Sequence, residues 1–134
     1  MENLARSTVK YEVLVGVPDG MPITNDIFFK DDIRAAWQKY AKEFYDKTNV
    51  YVSAITMFGR AIYRTEWGCP HCGESVISFH CTANPEFIKD LNLYKEGVLY
   101  ISKKLKKEFG QHTITITQLP AGIFYLTDES EEIE

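Results

Sequence analysis

The chain lacks most of the features that identify a membrane, secreted or nucleotide-binding protein. No apolar run approaches the roughly 18 to 20 residues of a membrane span, and the first residues lack the apolar core of a signal peptide. No Gly-rich phosphate loop, Ser-centred elbow or paired-carboxylate motif is present. The three cysteines are odd in number, which favours a metal site or free thiols over a disulfide framework. We therefore expect a cytoplasmic protein that does not contact membranes.

The chain also lacks an excess of positive charge. The chain carries 15 basic and 19 acidic residues, and the net charge of -4 comes largely from acidic residues in residues 128–134. Binding along a phosphate backbone needs a concentrated basic surface, so the nearly neutral body does not favour it. One lysine cluster is predicted at the end of a helix, where a solvated helix end is the favoured interpretation and a nucleic-acid patch the alternative: Lys103, Lys104, Lys106 and Lys107.

The length of 134 residues and the spacing of apolar residues predict one folded domain. We expect a flexible arm at residues 1–8, a single α+β domain at residues 9–127 and a disordered acidic tail at residues 128–134. Alternation of apolar and polar residues predicts strands, and recurrence at three- and four-residue steps predicts helices. The predicted order is a strand from residue 9, a helix at 31–47, strands at 50–67 and 75–82, a helix from Asn84 to Gly110 with a break near residues 90–92 as the alternative, a strand at 112–119, a turn at 119–122 and a last strand at 123–127.

This order of elements resembles the ferredoxin-like, or split βαβ, arrangement over residues 9–119. The resemblance implies a two-layer sandwich, with both helices on one face of an antiparallel sheet in βαββαβ order and an extra C-terminal strand. Such domains serve as metal chaperones, regulators, RNA binders and small enzymes, so the resemblance does not identify the function.

The run Cys69-Pro70-His71-Cys72-Gly73 resembles the zinc knuckle of rubredoxin-type and zinc-ribbon proteins. The resemblance implies structural zinc, with both cysteines facing one ion. A knuckle supplies two ligands and a closed structural site needs four, so Cys81 and His80 are the further candidates, with His71 and His112 as alternatives.

The expected hairpin around this run makes a site within one chain difficult to complete. Cys81 lies several residues along the returning strand, at about 3.3 Å per residue. An irregular strand, His112 or the same knuckle of a second chain would have to supply the missing ligands.

Other interpretations of these residues remain open. Cys-Pro-His-Cys also resembles the active-site tetrapeptide of some thiol oxidoreductases, although here it leads into a strand pattern and not a helix. A third possibility is a hairpin tip with unliganded thiols. No carboxylate is placed beside His80 by sequence spacing, which favours a surface or interface role. Aromatic residues of the second strand are candidates for base stacking, with core or interface packing favoured over it: Tyr51, Phe58, Tyr63 and Trp67.

The absence of a catalytic motif favours a non-catalytic interaction or regulatory module over an enzyme. We expect it to bind a protein partner or a second copy of itself, as in a homodimer, and to hold structural zinc. The first alternative is a small enzyme or small-ligand protein that uses Cys69, Cys72 or His80 in thiol redox or metal-dependent chemistry. The second alternative is a nucleic-acid binder.

Overall fold

The computed structural model describes residues 5–16 and 26–127, with side chains described from Ile33 onward in the second range. The elements are β1 (Arg6–Gly16), α1 (Asp26–Thr48), β2 (Ile55–Ala61), β3 (Glu74–Thr82), α2 (Leu91–Glu108) and β4 (Thr115–Ile123). Of the predicted arm, residues 1–4 lie outside the described residues and residues 6–8 belong to β1. The predicted acidic tail also lies outside them.

The four strands form one antiparallel sheet in the order β2-β3-β1-β4. Successive side chains of a strand point to opposite faces, and one face of β1 and β3 is buried: Val9, Tyr11, Val13, Val15, Ile77, Phe79 and Cys81. The buried sides of both helices belong to the same core cluster. The predicted α+β two-layer sandwich of ferredoxin-like type is confirmed, and the other sheet face is left without a covering layer among the described residues.

The core joins the helices to the sheet through closely packed aromatic and aliphatic side chains. Trp37 of α1 stacks on Phe79 of β3, with ring centroids 4.4 Å apart and an interplanar angle of 12°. Its indole N–H donates to the Val52 carbonyl at 3.1 Å. Burial of each such large side chain contributes about 1.5–3 kcal/mol. In the described part of the chain, no helix is long and apolar enough to cross a bilayer.

The second strand is much shorter than the predicted residues 50–67. Residues 50–54 are irregular, β2 ends at Ala61, and a short 3-10 helix (Thr65–Trp67) follows. The Val52 carbonyl accepts its hydrogen bond from Trp37 of α1 and not from a neighbouring strand. Tertiary contact with a helix therefore takes precedence over strand propensity in this segment.

The second helix begins later than Asn84, at the alternative break near residues 90–92. The Asn84 side chain caps a turn, where it accepts a hydrogen bond from the Glu86 N–H at 2.9 Å. Asp90 is the N-cap of α2, and its side chain accepts from the Leu93 N–H at 3.0 Å. Both residues are good caps, and the sequence alone does not show which one begins the helix.

The predicted turn at residues 119–122 and the extra C-terminal strand are wrong. β4 runs through these residues without turning, and Pro120 pairs with Val9 while Ile123 pairs with Arg6. Residues 124–127 have no regular structure. β4 is an edge strand, where a proline is tolerated because one side of the strand has no hydrogen-bond partner to supply.

Candidate active site

The Cys-Pro-His-Cys-Gly motif lies in the connection of the β2–β3 hairpin, as predicted. Gly73 has a φ of 85°, and its N–H donates to the Pro70 carbonyl at 2.9 Å. The Cys69 thiol is buried, and its sulfur accepts from the Tyr63 N–H at 3.3 Å. Cys72 is exposed and also adopts a positive φ, 66°. The contacts of this motif hold the hairpin tip together.

The predicted metal ligands are not brought together. Cys81 points into the core from β3, and the adjacent His80 points to the opposite sheet face. At about 3.3 Å per strand residue, both lie roughly 20 Å from the hairpin tip. Among the residues that the structure describes, no group of three or more His, Cys, Asp and Glu side chains is placed to hold a metal ion. The prediction of a metal-binding zinc knuckle is therefore wrong for the residues that the structure describes. Zinc as a cofactor is a separate prediction from the motif, and it stays a prediction.

A cluster of charged side chains lies on the sheet face that the helices leave uncovered. Glu12 of β1 is directly opposite His80 of β3, and Lys10 is on the same face of β1. The Glu12 Oε2 atom is 3.5 Å from Lys10 Nζ and 3.7 Å from His80 Nδ1. Sequence spacing does not reveal this carboxylate beside His80, because only the pairing of β1 with β3 brings the two residues together.

A cavity of about 280 Å³ adjoins this charged cluster. It lies where β1 and β3 meet the segment before β2, and its lining residues are Lys10, Ser53, Ala54, Ile55, His80 and Thr82. Ser53 and Thr82 add hydroxyl groups beside the charged side chains. The cavity therefore combines polar and charged groups that can hold a charged small molecule.

A larger groove of about 630 Å³ lies around the C-terminal end of α1, the loop after β3 and the start of α2. Its lining residues are Tyr45, Asn49, Tyr51, Ser53, Thr82, Asn84, Phe87, Ile88, Tyr94 and Ile123. The Tyr45 and Tyr51 rings meet edge to face, with centroids 6.1 Å apart and an angle of 69°. None of these side chains carries a charge at neutral pH. The volume and aromatic lining are typical of small-molecule sites.

Tyr94 lines this groove, and its hydroxyl group is buried. The residue is 1% exposed, and its hydroxyl oxygen has no hydrogen-bond partner among the described residues. Burial raises the pKa of Tyr94, and the nearby Cys81 and Tyr11 raise it further, so the hydroxyl stays protonated. Tyr94 is one of the buried residues of α2. A tyrosine among aliphatic residues is the sequence signal that this position carries a polar atom into the core.

The charged cavity and the aromatic groove are neighbours. Ser53 and Thr82 line both of them. Among the cysteine and histidine residues predicted for chemistry, only His80 lines either cavity; Cys69 and Cys72 lie at the hairpin tip.

Comparison with known proteins identifies the family. A model of the SAM lyase family matches residues 6–127. This chain belongs to the SAM lyase family.

Two solved structures of a phage SAM lyase have the same fold. The structure in complex with S-methyl-5′-thioadenosine has a TM-score of 0.50 and 13% identity, covering 93% of this chain and 95% of that chain. The structure in the apo state has a TM-score of 0.53 and 12% identity, with the same coverage.

A dimeric ferredoxin-like protein from an uncultured marine organism has a TM-score of 0.37 and 12% identity, covering 90% of this chain and 98% of that chain. No curated protein matches the sequence.

Membership of this family shows that the prediction of a non-catalytic interaction module is wrong. A lyase is an enzyme, and the family supports the alternative of a small enzyme. The prediction failed because it relied on short catalytic motifs. Here the charged cavity is built from residues far apart in sequence, which no motif can reveal.

Proposed function

We propose that this protein cleaves S-adenosylmethionine and releases S-methyl-5′-thioadenosine. The observation that carries the proposal is the match of the SAM lyase family model to residues 6–127. These residues include every lining residue of the charged cavity and the aromatic groove. A phage SAM lyase of similar fold binds S-methyl-5′-thioadenosine, which is the part of S-adenosylmethionine that remains when its amino-acid group is removed.

Cleavage of this substrate separates a neutral nucleoside from a charged amino-acid fragment. The bond between the sulfonium sulfur and the γ-carbon breaks, and its electron pair stays on the sulfur, which becomes neutral. In a lyase reaction no water is added. The γ-carbon either forms a bond to the substrate's own carboxylate, or a double bond forms after the β-carbon loses a proton. The protein therefore needs one region for a neutral nucleoside and another for a charged amino acid.

The Lys10, Glu12 and His80 cluster supports this division. Glu12 has the charge that an amino-acid ammonium group requires, and Lys10 has the charge that a carboxylate requires. The Lys10 and Glu12 side chains are only 35% and 34% exposed, so their charges interact more strongly than in bulk water. If the reaction proceeds through a double bond, His80 is the group placed to accept the proton.

Turnover of S-adenosylmethionine by the purified protein tests the proposal. We expect S-methyl-5′-thioadenosine to appear in liquid chromatography with mass spectrometry. Glu12→Gln should lower kcat/KM roughly 10- to 100-fold, because a hydrogen bond to a charged group contributes about 1.5–3 kcal/mol. Glu66→Gln, at the exposed hairpin tip, is the matched control and should keep the wild-type rate.

The two possible failures have different meanings. Folded wild-type protein that releases no S-methyl-5′-thioadenosine would refute the lyase proposal. Release by the wild type together with full activity of Glu12→Gln would refute only the role of the charged cluster.

We also propose that the protein associates with a second copy through the uncovered sheet face. Exposed apolar side chains lie on this face of three strands: Leu14, Ile55, Met57 and Leu119. A second copy seated there would bury these side chains and shield the nearby charged cavity from water. The predicted cytoplasmic location stays a prediction.

A further inference from the structure

A further cavity, the α1–β2 cleft, lies between α1 and the edge strand β2. Its volume is about 310 Å³, and its lining residues are Arg34, Trp37, Gln38, Ala54, Thr56 and Phe79. Thr56 pairs with Phe79, whose side chain belongs to the core. The preceding residue, Ile55, pairs with His80 and lines the charged cavity. Because successive residues of a strand point to opposite faces, the cleft and the charged cavity lie on opposite sides of the sheet.

The Arg34 guanidinium is held in this cleft by two neutral contacts. Its Nε atom donates to the Thr56 hydroxyl oxygen at 3.1 Å. Its Cζ atom lies 4.8 Å from the centroid of the Phe58 ring. The hydrogen bond and the ring together fix the plane of the guanidinium, and they leave its two Nη atoms to donate to a ligand.

Arg34 differs in its charge environment from two other arginines of the chain. Arg6 pairs with Glu86 at 3.0 Å, and Arg64 pairs with Glu66 at 3.3 Å. Arg34 forms no ion pair with a carboxylate that the structure describes. Its positive charge is therefore available to an anion that binds beside it.

Two neutral side chains add donors next to this guanidinium. The Thr56 hydroxyl accepts from Arg34, so its own hydrogen can be donated to a ligand. Gln38 follows Arg34 by four residues, which places its amide on the same face of α1. The indole N–H of Trp37 is engaged by the Val52 carbonyl, so Trp37 contributes apolar surface to the cleft.

The charge and size of the cleft select the chemical class of the ligand. The two Nη atoms of an arginine match the two oxygens of a carboxylate, which they bind side by side. One cation balances the single negative charge of a carboxylate but not the charge of about -2 on a phosphate group. The volume is at the lower end of the range of small-molecule sites, about 300–1,000 Å³.

We propose that the α1–β2 cleft binds a small organic monocarboxylate, at a site separate from that of the lyase substrate. The Arg34 Nη atoms bind the two carboxylate oxygens, and the Thr56 hydroxyl and the Gln38 amide donate to the same group. The apolar part of the ligand lies against Ala54 and Trp37. The inference does not depend on the proposed function, because the cleft and the charged cavity are on opposite faces of the sheet.

Isothermal titration calorimetry of the full chain with benzoate tests the inference. We expect saturable binding of one benzoate per chain by the wild type. Arg34→Ala should weaken it roughly 10- to 100-fold through the loss of hydrogen bonds to a charged group. Arg34→Lys should weaken it by about tenfold, because a lysine keeps the charge but cannot bind two oxygens side by side. Arg64→Ala is the matched control, since Arg64 also lies over an aromatic ring, that of Trp67, and it should bind as the wild type does.

Two further probes separate the carboxylate from other ligands. Benzamide has the shape of benzoate without its charge, and inorganic phosphate has a higher charge, so both should bind more weakly than benzoate. Circular dichroism checks that each variant is folded. A wild type without saturable benzoate binding would overturn the inference, as would equal binding by the wild type and Arg34→Lys. Benzamide that binds as well as benzoate, or phosphate that binds more tightly, would overturn the assignment to a carboxylate.

The rate of S-adenosylmethionine turnover shows whether this site is separate from the substrate. Saturating benzoate should leave the KM for S-adenosylmethionine unchanged. Competitive inhibition by benzoate that disappears in Arg34→Ala would place Arg34 in the substrate site and overturn the inference of a second site. A wild type that binds benzoate but releases no S-methyl-5′-thioadenosine would refute the lyase proposal and leave the carboxylate site intact.

Discussion

Gly97 determines how closely α2 approaches the rest of the core. A Cβ atom added at this position would lie 2.8 Å from the Phe44 Cε2 atom and 2.8 Å from the Val52 Cγ2 atom. Contacts this short do not occur in relaxed proteins, so the helix would have to shift. At an exposed helix position, replacing glycine by alanine stabilises by about 1 kcal/mol, and here crowding opposes that gain.

Gly97→Ala should therefore destabilise the protein, by about 1–3 kcal/mol of unfolding free energy. Urea denaturation followed by circular dichroism measures the change. Gly59→Ala is the control, because no atom lies within 4 Å of the added Cβ there and its effect should be small. A Gly97→Ala protein as stable as the wild type would show that the two helices can separate at no cost.

At the scale of the elements, the centres of strands and helices were predictable and their ends were not. Alternation and helical spacing each report which side of an element is buried, and both helices and all four strands were located in this way. The ends depended on contacts between elements. Val52 binds Trp37, Asp90 caps α2 in place of Asn84, and Pro120 fits within β4 because that strand is at the sheet edge.

The uncovered face of the sheet is the surface through which we propose self-association. Ile55 is 72% exposed and Met57 is 56% exposed, and both lie on β2, an edge strand. Leu14 and Leu119 extend the same face across β1 and β4. An exposed apolar patch of this kind is typical of an interaction surface.

Met57→Lys should weaken self-association, since burial of a lysine charge in the contact is costly. Light scattering after size exclusion should give the wild type a mass above the 15.4 kDa of one chain and shift the variant toward that value. Trp67→Lys, at the hairpin tip, is the control. A wild type that elutes with the mass of one chain at all concentrations would contradict self-association through this face.

For the whole molecule, three buried side chains that release a proton only at high pH make the stability fall as the pH rises. Burial raises the pKa of the Cys81 thiol to about 12 and raises the pKa of Tyr94 and Tyr11 as well. The unfolded chain releases these protons at lower pH, near about 8.5 for cysteine and about 10 for tyrosine. The contribution of these groups to stability is therefore complete below the unfolded value and is lost as pH rises toward the folded value.

The urea midpoint should stay level up to about pH 8.5 and fall between about pH 8.5 and 11. Cys81→Ala should flatten the first part of this fall, although its cavity lowers the midpoint at every pH. Cys72→Ala is the matched control, because Cys72 is exposed and its loss should leave the profile unchanged. Identical slopes for Cys81→Ala and the wild type would show that the buried thiol does not contribute.

The sequence by itself determined the α+β class, the order of the elements and the hairpin that carries Cys69 and Cys72, because local side-chain spacing records which face of each element is buried. Only the tertiary structure brought the residues of the candidate site together. Glu12 and His80 meet through the register of β1 with β3, and Ser53 and Thr82 line both the groove and the charged cavity. Such contacts depend on all the elements packing at once, so no local pattern in the sequence encodes them.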